Sequence, residues 1–249
     1  MRIEIDGRTP TVAQLSYPAL VNYGHFTAMQ VRDGRVRGLD LHLARLDAAT
    51  RELFDTGLDG ELVRSRIRHA LAGTPDTSVQ VRVFQPDEIS IMVTVRDPVD
   101  MPTGPQRLMS VPYQRPVAHL KHVGGFGQAY YGRLAEKAGY DDALLTGPGG
   151  VISEGGITNI GFFDGDHVVW PDAPALAGIA MQLLQRALGS ASTRRRVTLA
   201  DVTAYQGGFV CNSRGVAPVG RIDDMALPVD AAATDRLIKL YEDVPGDPV

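Results

Sequence analysis

The stretch from residue 141 to residue 171 restricts the possible folds of this chain more than any other segment. It reads DDALLTGPGGVISEGGITNIGFFDGDHVVWP, in which short apolar runs alternate with glycine turns. Apolar runs bounded by turn signals are typical of strands, and several strands in succession form a sheet meander. The pattern therefore predicts a barrel-like sheet in the second half of the chain.

The first half mixes strand and helix patterns. Alternating residues around Asp-Gly turns in MRIEIDG and FTAMQVRDGRVRGL predict two hairpins. Leucines at helical spacing predict a helix over residues 39–54, in which His42 and Arg45 share a face because they are three residues apart. A second helix is predicted at 60–72, followed by the strand pair VQVRVF and ISIMVTV. These elements indicate a small α+β domain.

A proline-rich stretch, RDPVDMPTGPQ, separates the two halves and shows neither helical nor strand periodicity. We therefore predict an α+β chain with an N-terminal α+β domain at 1–105 and a larger C-terminal pseudo-barrel domain at 106–249. Beyond the meander, the second domain is predicted to contain the strands RLMSVPY and GGFVCNS and helices at 127–138, 177–188, 199–205 and 231–242.

Composition excludes several functional classes. The chain of 249 residues has a formal net charge of −4, so no general basic field favours nucleic acid. A single cysteine, Cys211, excludes an internal disulfide framework and a multi-cysteine metal site, and no metal is expected. No stretch has the length and apolar character of a membrane span, and the first residues do not resemble a signal peptide. These features predict a cytoplasmic protein.

One of only three lysines has an unusual setting. Lys121 lies in VAHLKHVGGFG, between apolar residues and a glycine-rich turn, whereas Lys137 and Lys239 fall in predicted surface helices. Partial desolvation of a lysine favours the neutral amine that a Schiff base requires. Taken alone, a surface loop lysine would be the commoner interpretation. The wider pattern changes this, because Glu154 follows thirty-three residues later in VISEGGITNIGFF.

Together with Lys121, this glutamate segment resembles the fold-type IV pyridoxal-phosphate enzymes, which include branched-chain aminotransferases, D-amino-acid transaminases and 4-amino-4-deoxychorismate lyases. Further segments agree in order and kind from about residue 20 to about residue 225; they are GHFTAMQVRDGRV, HLARL, HLKHV, LAGIAMQLL and VCNSRGVAPVGRID. The resemblance implies pyridoxal 5'-phosphate as cofactor and a homodimer. It assigns catalysis to Lys121, as the Schiff-base lysine that moves a proton at the substrate α-carbon, and to Glu154, as partner of the pyridine nitrogen.

The resemblance also implies further contacts. Arg45 would grip the cofactor phosphate as a bidentate guanidinium. Other cofactor contacts fall on Asn159, Gly178, Ile179, Ala180, Asn212 and Ser213. Substrate contacts are predicted for Thr27, Ala28, Arg115, Phe126 and Arg214.

Three departures from the family pattern bear on function. Ala180 replaces a threonine, Phe126 replaces a tyrosine, and Ala28 replaces the second threonine of the lyase branch. The change at residue 28 favours amino-group transfer between an amino compound and a 2-oxo acid. The alternative is a lyase that releases pyruvate and 4-aminobenzoate from aminodeoxychorismate, which LKH and Cys211-Asn212 favour. A third possibility is a binding protein that has lost catalysis, against which the intact Lys121 argues.

Overall fold

The computed structural model describes all residues from 1 to 249, and they form two contact units. Unit 1 contains Met1–Val99, Leu120–Gly124 and Pro245–Val249. Unit 2 contains Asp100–His119 and Gly125–Val244. The predicted boundary after residue 105 stays a prediction.

Fifteen strands and six α-helices make up the chain, with three short 3-10 helices between them. In chain order they are β1 (Arg2–Ile5), α1 (Val12–Leu20), β2 (His25–Val31), β3 (Arg35–Arg37), α2 (Leu39–Phe54), α3 (Gly60–Leu71), β4 (Thr77–Phe84), β5 (Ser90–Arg96), β6 (Gln106–Val111), α4 (Phe126–Lys137), β7 (Asp142–Gly147), β8 (Val151–Gly155), β9 (Asn159–Asp164), β10 (His167–Pro171), α5 (Ile179–Leu188), β11 (Ser192–Arg195), β12 (Gly208–Asn212), β13 (Gly215–Ile222), β14 (Met225–Ala226), α6 (Ala231–Glu242) and β15 (Gly246–Pro248). The 3-10 helices are Pro148–Gly150, Gly189–Ala191 and Leu199–Ala204.

Unit 1 is a four-stranded antiparallel sheet in the order β1-β5-β4-β2, with α2 and α3 packed on one face. The alternation of β4 explains the packing, because Val79, Val81 and Val83 are fully buried in the core while Gln80 and Arg82 point to the opposite face. Helix α3 begins at Gly60 because the Asp59 side chain accepts a hydrogen bond from the Glu61 N–H at 2.9 Å. The predicted helices and strand pair of this half are confirmed.

The first predicted hairpin forms only in part. The Asp6-Gly7 turn closes through a bridge between Ile5 and Arg8, but no second strand follows it. Strand β1 instead pairs antiparallel with β5, and residues Val12–Leu20 form α1. Helix α1 buries none of its residues. The second Asp-Gly turn does join β2 to β3 through a bridge between Arg32 and Arg35, although β3 then pairs with β15.

Unit 2 is built on a nine-stranded sheet whose main path is β11-β10-β9-β12-β13-β6-β7-β8, with β14 added to β13. Strand β8, at one end, approaches β10 near the other end, so the sheet curls into a half-barrel, as the glycine-punctuated meander predicts. Trp170, Phe162 and Phe209 are buried inside it. The helix predicted at 199–205 is a 3-10 helix, and those predicted at 127–138, 177–188 and 231–242 are α4, α5 and α6. None of the helices is both long enough and apolar enough to cross a membrane.

Candidate active site

The segment that carries Lys121 extends the hydrogen bonding of β2 in unit 1. The N–H of Phe26 donates to the Lys121 carbonyl at 2.9 Å, and the N–H of Val123 donates to the Gly24 carbonyl at 2.9 Å. The Lys121 Nζ lies 4.9 Å from the centre of the Phe26 ring. The backbone of the lysine is therefore held by a regular strand, and its amine lies over an aromatic side chain.

Arg45 of α2 is a partly buried cation with no carboxylate partner. Its guanidinium donates to the Thr27 hydroxyl, and its buried Nε has no hydrogen-bond partner. Burial lowers the pKa of Arg45 to about 10, which leaves it charged at neutral pH. A charge that is partly removed from water and has no counter-ion is costly, so an anion bound beside Arg45 would be stabilised.

Two buried histidines, His25 and His42, feel the charge of this arginine. Burial, followed by the charge of Arg45, lowers the pKa of His25 to about 4. Burial also holds the pKa of His42 well below its usual range, with further contributions from the charges of Arg45 and Lys121. Both histidines are therefore neutral at pH 7. The charges of Arg45 and Lys121 thus both act on the His42 imidazole. These are the two residues predicted to hold the phosphate and the aldehyde carbon of the cofactor.

In unit 2, Glu154 lies at the end of β8 in an ion pair with Arg115. The Arg115 Nε is 2.7 Å from Glu154 Oε1, and the two side chains are only 4% and 7% exposed. The Leu176 N–H donates to Glu154 Oε2 at 3.2 Å, and the Arg115 guanidinium also donates to the Ala118 carbonyl. These contacts fix the orientation of the carboxylate. The predicted substrate contact of Arg115 stays a prediction, but its observed partner is Glu154.

The segment that contains Leu176 leads to the start of α5. The Asn159 Nδ2 donates to the Leu176 carbonyl at 2.8 Å. A Cβ added to Gly178 would lie 2.0 Å from Asn159 Oδ1, so the backbone approaches this amide too closely for a side chain. Helix α5 begins at Ile179 with no side-chain cap, which leaves first-turn N–H groups available to an anion. Glu154, Asn159 and the start of α5 are thus joined through one residue, Leu176.

The other predicted residues of unit 2 lie at the turn between β12 and β13 and in the first turn of α4. Asn212 Oδ1 accepts from the Arg214 N–H at 2.8 Å, and the Ser213 carbonyl accepts from the Tyr241 hydroxyl at 3.3 Å. Arg214 is exposed, and Phe126 is 81% exposed and stacked on Tyr130. No contact joins these side chains to Glu154, and their predicted roles stay predictions.

Sequence reasoning missed the partners of Thr27. The His42 Nδ1 lies 2.6 Å from the Thr27 Oγ1, and Thr27 is fully buried. The signal was present in the chain, since His42 and Arg45 share a helix face, but their common partner lies on a strand fifteen residues before the histidine. The role of Leu176 could not be predicted because it is played by backbone groups.

Comparison with known proteins gives one family and one fold. The family model described as "Amino-transferase class IV" matches residues 24–222. No curated protein sequence gives a significant match. A hypothetical aminotransferase from Mycobacterium tuberculosis in its PLP-bound form superposes with a TM-score of 0.79 at 21% identity, covering 91% of this chain and 90% of that chain.

Two other solved structures are similar. A branched-chain amino acid aminotransferase from T.th., complexed with N-(5'-phosphopyridoxyl)-L-glutamate, gives a TM-score of 0.83 at 17% identity, covering 96% of this chain and 92% of that chain. A protein provisionally described as a 4-amino-4-deoxychorismate lyase, from Legionella pneumophila, gives 0.80 at 18% identity, covering 91% and 93%. The shared fold confirms the predicted α+β, fold-type IV class.

Proposed function

The chain belongs to the class IV aminotransferase family, and on this premise we propose that it moves an amino group between an amino compound and a 2-oxo acid with pyridoxal 5'-phosphate as cofactor. The observation that carries the proposal is the partly buried Arg45. Its charge has no carboxylate partner and its Nε has no acceptor, yet it lies within electrostatic reach of the same histidine as Lys121. A ligand that carries both a phosphate and an aldehyde suits these two residues, because the phosphate can bind the Arg45 guanidinium and the aldehyde can react with the Lys121 amine.

The residues present fit the cofactor. In unit 1, Arg45 supplies an unused donor for phosphate oxygens and Lys121 supplies the amine. In unit 2, the uncapped start of α5 supplies backbone N–H groups, with Gly178 closely packed beneath them. Glu154 supplies a buried carboxylate for a pyridine nitrogen. Unit 1 therefore contains a donor for a phosphate and an amine for an aldehyde, and unit 2 contains donors for a phosphate and a carboxylate for a ring nitrogen.

The bound cofactor would supply a protonated ring that accepts the electrons released when the substrate loses its α-proton. Lys121 would hold the aldehyde carbon covalently and then carry the proton at the substrate α-carbon. Glu154 would keep the proton on the ring nitrogen, with its orientation fixed by Arg115 and Leu176. Arg45 would orient the group by binding its phosphate.

The structure also supports transfer over the lyase alternative. Phe26 and Ala28 lie on the same face of β2, because side chains alternate along a strand. The Lys121 amine lies over the Phe26 ring on that face. A hydroxyl is therefore missing at residue 28, on the face of β2 that carries the lysine, where the lyase branch has a threonine.

The two reactions differ in what happens to the cofactor. We expect an amino acid to bleach the visible absorption band of the reconstituted enzyme and a 2-oxo acid to restore it. Alpha-ketoglutarate is a suitable first acceptor, since the Mycobacterium tuberculosis protein has been solved with it and PMP bound. If no donor bleaches the band while 4-aminobenzoate and pyruvate appear from aminodeoxychorismate, transfer is wrong and the lyase alternative stands.

The proposal extends to assembly and location. The family resemblance supports a homodimer, and the single buried cysteine, Cys211, fits a reducing compartment such as the cytoplasm. Light scattering of the active enzyme at working concentration should give twice the mass of one chain. A fully active monomer would contradict the homodimer.

A further inference from the structure

The Thr27 hydroxyl has two hydrogen-bond partners whose roles can be assigned. The Arg45 guanidinium can only donate, so it takes a lone pair of Thr27 Oγ1. The second partner is His42 Nδ1, at 2.6 Å. If His42 also donated, the hydroxyl proton of Thr27 would have no acceptor in a fully buried position. The hydroxyl therefore donates to an unprotonated Nδ1.

This assignment agrees with the charge of the histidine. Burial, followed by the charges of Arg45 and Lys121, lowers the pKa of His42 and keeps it neutral, so one of its ring nitrogens must lack a proton. The neighbouring pair has the opposite direction, because the Thr50 hydroxyl already donates to the Leu46 carbonyl at 2.8 Å and must accept from His25 Nε2 at 2.9 Å. The direction of each bond is thus set by the local acceptors.

We propose that Thr27 and His42 are positioning residues that hold the Arg45 guanidinium in the orientation in which it binds the phosphate of the ligand. His42 fixes the Thr27 hydroxyl by accepting its proton, and the fixed oxygen accepts from Arg45. A neutral histidine and a hydroxyl achieve this without neutralising the arginine, whereas a carboxylate in their place would compete with the phosphate. The identity of the ligand rests on the proposed function.

The test separates phosphate binding from the rest of the cofactor. Dissociation constants of the apo-protein are measured for pyridoxal 5'-phosphate and for pyridoxal, which has the same ring and aldehyde without the phosphate. Thr27→Val should raise the dissociation constant for pyridoxal 5'-phosphate about tenfold or more, the size of one hydrogen bond to a charged group. The constant for pyridoxal should stay within about twofold, a difference of less than half a kcal/mol.

Conservative variants distinguish positioning from a structural role. Thr27→Ser keeps the hydroxyl and should restore the affinity, and His42→Asn, which offers an amide oxygen near the position of Nδ1, should bind more tightly than His42→Leu. Thr50→Val is the matched control, since Thr50 is also a fully buried threonine bonded to a histidine but does not contact Arg45. It should lower the thermal midpoint without changing the ratio of the two dissociation constants.

Titration of inorganic phosphate against the apo-protein keeps this inference separate from the proposed function. One outcome is that wild type binds inorganic phosphate, Thr27→Val binds it less tightly, and neither binds pyridoxal 5'-phosphate. The positioning role then stands, and the proposed cofactor is wrong. If wild type binds the cofactor but Thr27→Val and His42→Leu bind it equally well, or weaken both ring compounds alike, the positioning role is overturned. Binding of neither compound overturns both.

Discussion

Replacing Arg115 by methionine should destabilise unit 2 strongly. The change leaves the Glu154 carboxylate, 7% exposed, without its cationic partner, and it also removes the hydrogen bond to the Ala118 carbonyl. Breaking a buried ion pair by removing one member costs about 3–5 kcal/mol, because the remaining charge stays desolvated. We expect a loss of that size in the free energy of unfolding of the apo-protein.

A second substitution, Glu154→Gln, tests whether the loss of stability comes from the uncompensated charge of Glu154. Glutamine keeps an oxygen that can accept from the Leu176 N–H, but it carries no charge that needs Arg115. The double variant should therefore recover at least about 2 kcal/mol of the loss caused by Arg115→Met, since the uncompensated charge is gone.

The assay uses the only tryptophan of the chain. Trp170 is 1% exposed in β10 and packs edge-on against Phe209 at 5.2 Å, so its fluorescence during urea unfolding reports on unit 2. The control is Arg195→Met, which removes an exposed ion pair with Asp164 in the same unit and should cost less than about 1 kcal/mol. A loss below about 1 kcal/mol for Arg115→Met, or strict additivity in the double variant, would refute the role of the buried pair.

Two further predictions concern other parts of the site. Because the pKa of His25 is about 4 in the folded chain and 6.5 as its ordinary value, the unfolded state binds more protons between those values. The contribution of His25 to the free energy of unfolding should be constant above pH 6.5 and should fall by about 3 kcal/mol as the pH drops towards 4. In His25→Gln, the urea midpoints measured by circular dichroism should therefore depend less on pH over that range. A pH dependence equal to that of wild type would contradict this prediction. Gly178→Ala should weaken binding of pyridoxal 5'-phosphate, since its Cβ would lie 2.0 Å from Asn159 Oδ1. The φ of −65° suits any residue, so unchanged binding in Gly178→Ala would contradict the steric explanation.

Local signals determined how much of this molecule could be predicted. Helix α2 follows from its leucine period, and β4 follows from its alternation of valines, because each pattern lies within one element. Helix α1 was not predicted, although the Thr11 and Gln14 capping box is a readable start signal; Pro18, which disfavours a helix interior, lies inside it. The pairing of β1 was wrong because its partner lies far along the chain.

The site shows the same limit. Family motifs indicate Lys121, Glu154 and Arg45 directly. The partner of Arg115 could not be read in the same way, because it lies 39 residues away and an arginine near a lysine equally suggests a substrate carboxylate. Tertiary contacts, unlike motifs, have no fixed spacing in a sequence.

The most direct measurement is to reduce the reconstituted protein with borohydride and to locate the attached pyridoxyl group by peptide mass spectrometry. The chain contains only Lys121, Lys137 and Lys239, so the three possible sites fall at well-separated positions. We expect one pyridoxyl group per chain on Lys121, and no label at that peptide in Lys121→Ala. A label on Lys137 or Lys239 in wild type, or no covalent label together with full transaminase activity, would contradict the assignment of Lys121.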